Sequence, residues 1–142
     1  MVEGSVARLL LASAKRDEQA FRSLVAIPDM NDAAIGFHAH QCVEKALKAV
    51  LAHAAIPFRR THDLAELLDL VEDIGHTAPP FSRRLDELNP YAIEARYGLV
   101  DPAALDRGAI LHMVEAVSAG CSAWTETGRI VLCGLVRRRQ AF

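Results

Sequence analysis

The sequence predicts an all-α protein, an antiparallel up-down bundle of about five helices. Three observations predict it. Apolar residues recur at i, i+3, i+4 and i+7 in almost every periodic segment. Convincing period-two alternation is missing until the tail after Gly128. The periodic segments are separated by short stretches carrying Pro, Gly, Asn or Asp, such as IPDMND at 27–32 and IPFRRTHD at 56–63.

The first helix is expected from about Glu3 to Val25, with Val6, Leu10, Ala14, Phe21, Leu24 and Val25 on its inner face. Asp17 interrupts that face, so its carboxylate must find a partner or reach water, because burying it alone costs several kcal/mol. The second helix is expected from Asp32 to His53, after a capping Asn or Asp, and Pro57 enforces its end. Its apolar arc holds Ile35, Ala39, Cys42, Val43, Ala46, Leu47 and Val50. The third starts after Thr61, where Asp63 and Glu66 have capping-box spacing, and carries Leu64, Leu67, Leu68 and Val71 until Gly75.

Pro79 and Pro80 open a shorter helix with Phe81, Leu85 and Leu88; Asn89 and Pro90 are expected to interrupt it before YAIEARY forms another turn or two. Asp101 and Pro102 read as a capping carboxylate and a first-turn proline. Ile110, Met113, Val114, Val117, Cys121 and Trp124 then form the stripe of a long last helix. RIVLCGLVRRRQAF reads as a short helix or an extended arm, suited either to docking on a partner subunit or to simple surface packing. The expected organisation is a helical bundle over 1–128 and a tail over 129–142. Deleting 129–142 should leave a cooperative thermal transition by circular dichroism; loss of cooperativity would place the tail in the core.

With 142 residues, 51% of them hydrophobic, the chain can bury a core without disulfides. A formal net charge of -2 excludes a protein that coats nucleic acid through bulk basicity, and leaves room for a local basic patch. Cys42, Cys121 and Cys133 form no CxxC pair and fit a reducing compartment. No secretory signal or membrane-span pattern is visible, so a soluble, cytoplasmic protein is expected. His38 and Cys42 stand one helical turn apart, but His40 points the other way and no further ligand has metal spacing, so no metal is assigned. There is no Gly-rich phosphate loop and no nucleophile elbow; no cofactor and no catalytic residue are assigned.

The candidate binding residues fall in three stretches. In HAHQCVEKALK, His38, Gln41, Lys45 and Lys48 lie within an arc of roughly 80° beside the apolar arc, as either a solvated edge or a ligand-facing one. FRRTHDL places Arg59, Arg60, Thr61 and His62 just before a helix start, where free backbone N–H groups and the helix dipole favour an anion; an ordinary capped loop is the alternative. In YAIEARY, Arg96 sits between Tyr91 and Tyr97, a combination able to bind phosphate and stack on a base, or else a structural arginine tied to Glu94 or a carbonyl.

HAHQCVEKALKAVL, IPFRRTHDLAELL and YAIEARY, in that order, resemble the HEPN family across about residues 5 to 125. The resemblance implies a five-helix antiparallel bundle that dimerises and is often encoded beside a small nucleotidyltransferase, as a toxin and antitoxin or a related pair. It also implies that the edge with His38, Gln41, Glu44, Lys45 and Lys48 and the THDL loop lie near a groove for nucleotide or RNA. Arg59, Arg60 and Arg96 would then donate to phosphate, Lys45 and Lys48 add positive charge, His38, Gln41 and His62 give directional hydrogen bonds, and Tyr97 a stacking face.

Ribonuclease members of the wider superfamily carry an arginine and a histidine a few residues apart, whereas ARYGLVD has no histidine. Arg107 and His112 match the spacing formally, but on a regular helix they diverge by about 140°. The expected protein therefore binds nucleotide or RNA as a homodimer. The alternatives are a metal-independent ribonuclease toxin and a non-catalytic interaction module for a nucleotidyltransferase.

Overall fold

The computed structural model describes residues 2–76, 82–93, 97, 105–127, 129–132 and 135–138. Its bundle consists of α1 (Val2–Val25), α2 (Asp32–His53), α3 (Leu64–Asp73), a 3-10 helix (Ser82–Tyr91) and α4 (Arg107–Thr127). The fold is the all-α helical bundle that the periodicity predicts.

α2 is the central element: α1, α3, the 3-10 helix and α4 all pack on it. Its limits are those expected, and Asn31 is its cap, accepting from the Ala33 N–H at 2.7 Å. Every member of its expected apolar arc is buried. The stripe of α4 is buried likewise, as are the four expected residues of α3.

On α1 the buried line is Ala7, Leu11, Ala14 and Phe21, whereas Val6 is 41% exposed and Leu10 only half-buried. The expected face is thus displaced by one residue at its N-terminal end. Three consecutive leucines at 9–11 satisfy a helical period in more than one phase, and the deeply buried Phe21 selects among them. Ala7 and Ala14 precede it at seven-residue steps and drift by only about 20° per step.

α3 begins on an Asp63 cap that accepts from the Ala65 N–H at 3.0 Å, and Gly75 at φ 92 follows its end. The capping box is only half formed, because Glu66 turns to Arg59 and Thr61 instead of the cap. The expected interruption at Asn89 and Pro90 does not occur: the 3-10 helix continues through both to Tyr91. Leu85, Leu88 and Tyr91 are all buried, and their spacing of three puts them on one face of a helix with three residues per turn. Asn89 locks this helix to α3, accepting from the Leu64 N–H at 3.0 Å and donating to Asp63 at 3.1 Å.

The expected helix openings at Pro79–Pro80 and Asp101–Pro102 lie outside the described residues. Leu105 and Asp106 are not helical, and α4 starts at Arg107, with Asp106 accepting from the Ala109 N–H at 3.0 Å. Beyond the bundle the chain takes the extended alternative, with β1 (Arg129–Leu132) pairing antiparallel to β2 (Leu135–Arg138) and Leu132 opposite Leu135. Among the described residues no helix is long and apolar enough to cross a membrane.

Candidate functional site

The polar edge of α2 divides between two neighbours. At its upper end His38 Nδ1 donates to Asp17 Oδ1 at 3.1 Å and Lys45 Nζ donates to Asp17 Oδ2 at 2.6 Å. Asp17 therefore has the partner its position demands, and both of its oxygens are engaged. His38 and Lys45 join α2 to α1 across the bundle, an arrangement that periodicity within either helix does not reveal. Gln41 lies half-buried between them and the lower end.

At the lower end α2 meets the loop before α3. Glu44 is buried, with a side chain only 5% exposed, and its Oε1 accepts from Nδ1 of His62. Lys48 Nζ stands 3.8 Å from the same oxygen and 5.8 Å from the centre of the Phe58 ring. One turn before Glu44, the buried His40 donates from Nε2 to the His62 carbonyl at 2.8 Å. Burial pushes the His40 imidazole below its usual range, so it serves as a neutral donor. His40 and Glu44 thus grip one loop residue by its backbone and its ring, four residues apart on one helix face. His40 does point away from His38, as its spacing requires, but its role with Glu44 was not foreseen; the signal was the H-x-x-x-E spacing ahead of THD.

The rest of the loop is internally tied. Arg59 makes a bidentate pair with Glu66, at 2.6 and 2.8 Å, and Thr61 Oγ1 donates to the same carboxylate at 3.1 Å. That hydrogen bond from Arg59 holds the Glu66 carboxyl below the usual carboxylate range. Arg60 is exposed and has no hydrogen bond or ion pair among the described residues. Tyr97 is 74% exposed, while Arg96 lies outside the described residues.

The structure therefore brings Lys48 and His62 together on the Glu44 carboxylate, leaves Arg60 exposed two residues before His62, pairs Arg59 with Glu66, and takes His38 and Lys45 into the α1–α2 contact. Two surface clefts, of about 430 and 560 Å³, lie elsewhere, one on α1 and α4 and the other including His53.

Arg107 is committed to structure: it donates to Asp32 Oδ1 at 2.9 and 3.2 Å, to the Met30 carbonyl at 2.6 Å and to the Ile27 carbonyl at 2.9 Å. His112 is exposed one turn further on. Cys42 and Cys121 are buried thiols whose burial pushes them up, Cys121 to about 12, so both are held protonated and unreactive. Among the described residues no three His, Cys, Asp or Glu side chains are grouped to hold a metal ion.

The family model described as HEPN domain matches residues 7–121. No curated protein and no solved structure matches the chain.

Proposed function

We propose that this chain, which belongs to the HEPN domain family, binds the phosphates of a nucleotide or RNA on the surface formed by Lys48, Arg60 and His62. The observation that carries the reading is the meeting of these donors from α2 and the loop before α3. Lys48 and His62 converge on one buried carboxylate, and Arg60, two residues before His62 in the same loop, is exposed with no ion pair among the described residues. Tyr97, which is exposed, supplies a stacking face in this reading. The protein works beside a small nucleotidyltransferase in a toxin–antitoxin-like pair and does so as a homodimer. Val6 and Leu9, 41% and 70% exposed on one side of α1, support a second copy as a covering partner. The Arg107 and His112 spacing lends a ribonuclease reading no support, because Arg107 already holds Asp32 and two carbonyls.

The test is binding of a labelled RNA and a nucleotide panel at one fixed salt concentration, since phosphate contacts make affinity salt-dependent. Replacing Lys48 and Arg60 together with Ala is expected to lower affinity about tenfold or more, through lost charge-assisted hydrogen bonds. His112→Ala should leave it unchanged. Undiminished binding by the folded double variant would remove this surface from consideration.

A further inference from the structure

We propose that His62 is a phosphoryl-accepting nucleophile, with Nε2 as the reactive atom and the buried Glu44 as its activating group. The inference does not rest on nucleotide or RNA binding, because a small donor needs only the imidazole and its carboxylate partner.

The geometry divides the two ring nitrogens between different environments. Nδ1 is turned inward onto a carboxylate whose side chain is 5% exposed, while the His62 side chain as a whole is 56% exposed. Nε2 has no hydrogen bond among the described residues. The backbone of His62 is held as well, by the 2.8 Å hydrogen bond from His40 to its carbonyl. A neutral imidazole with its proton on Nδ1 keeps its lone pair on Nε2.

Attack by Nε2 on phosphorus converts the ring to an imidazolium, and a carboxylate on Nδ1–H stabilises that charge as it develops. Because Glu44 is shielded from water, the stabilisation is stronger than an exposed carboxylate would provide. Lys48 stands 3.8 Å from the same carboxylate oxygen and Arg60 is exposed two residues before His62, so the charge close to the ring includes cations that favour an anionic donor. Donors of the phosphoramidate or acyl-phosphate class fit this chemistry. The N–P bond forms from the Nε2 lone pair, the bond from phosphorus to the leaving group breaks, and ammonia or a carboxylate departs with that electron pair. The Nδ1 proton remains in the hydrogen bond to Glu44, and nothing is oxidised or reduced.

His112 is the internal control, an exposed histidine with no hydrogen bond or ion pair among the described residues. The full chain would be incubated with potassium phosphoramidate, labelling at each of its six histidines followed by tandem mass spectrometry, and the bonded nitrogen assigned by phosphorus NMR. His62 is expected to label at Nε2 about tenfold faster than His112, the scale on which a carboxylate partner tunes an imidazole. Equal rates, or an adduct on Nδ1 of His62, would overturn the proposal. Glu44→Gln should bring His62 down to the rate of His112 and leave His112 itself unaltered. A folded Glu44→Gln protein that labels His62 at the original rate overturns it equally. Should that variant not fold, the comparison of the two histidines in the unaltered protein decides alone.

Discussion

Replacing Arg107 with Ala is expected to lower stability by about 2–4 kcal/mol, the scale of losing hydrogen bonds to a partly buried carboxylate that is left behind. Arg107 opens α4, yet its guanidinium spans the α1–α2 connection, donating to the carbonyls of Ile27 and Met30 and to the Asp32 carboxylate. The Leu105 N–H adds a fourth tie to that segment, at 3.3 Å from Asp32. The side chains of Arg107 and Asp32 are 28% and 17% exposed, so water replaces these contacts only in part. Arg107→Lys should recover less than half of the loss, because an ammonium cannot reproduce the planar fork. Urea melts would measure both variants, and a cycle with Asp32→Asn should give a coupling above about 1 kcal/mol. A loss below about 0.5 kcal/mol for Arg107→Ala, the size of an ordinary surface change, would sink the assignment.

Gly36→Val should be comparably damaging, at about 3 kcal/mol, for a reason of shape. Gly36 lies in the second turn of α2, and a Cβ there would sit 2.4 Å from Cγ and Cδ1 of the Tyr91 ring. Tyr91 is buried at the end of the 3-10 helix, so its ring cannot simply swing into solvent. Gly36→Ala separates the packing effect from the backbone effect. In the unaltered protein the methyl group collides with the ring, and the variant is expected to be destabilised. In a Tyr91→Ala background the collision is gone, and the same change should stabilise by up to about 1 kcal/mol through helix propensity. Thermal melts of the four proteins decide it, and an unchanged sign across the two backgrounds would show that the close approach carries no energetic weight.

How much was legible differs from element to element for identifiable reasons. α2 was readable to its ends because a cap, an unbroken apolar arc and a following proline agree. On α1 the run Leu9, Leu10, Leu11 fits more than one phase, so the period alone could not select Ala7 and Leu11 over Val6 and Leu10. The short helix through Leu85 and Leu88 was readable, but not its 3-10 form or its length: Pro90 reads as a stop, whereas its buried face, repeating every three residues, lets the chain continue to Tyr91. Glu66 stands at capping-box spacing, but Arg59 and Thr61 compete for it from the other side of the loop.

By itself, the sequence determined the all-α class, most of the buried faces and the residue types available for chemistry on α2 and the THDL loop. Periodicity and capping are local properties, written within a few turns of chain. Only the tertiary structure decided which of those polar groups are engaged inside the bundle. Asp17 meets His38 and Lys45 from another helix, and His62 reaches Glu44 from a loop 18 residues away. Such contacts hold only within hydrogen-bonding distance, which the packing of helices sets and no spacing along the chain records. That is why four cations along one edge and loop looked equivalent in sequence, while the fold ties Lys45 to Asp17, Lys48 to Glu44 and Arg59 to Glu66, and leaves Arg60 exposed with no ion pair among the described residues.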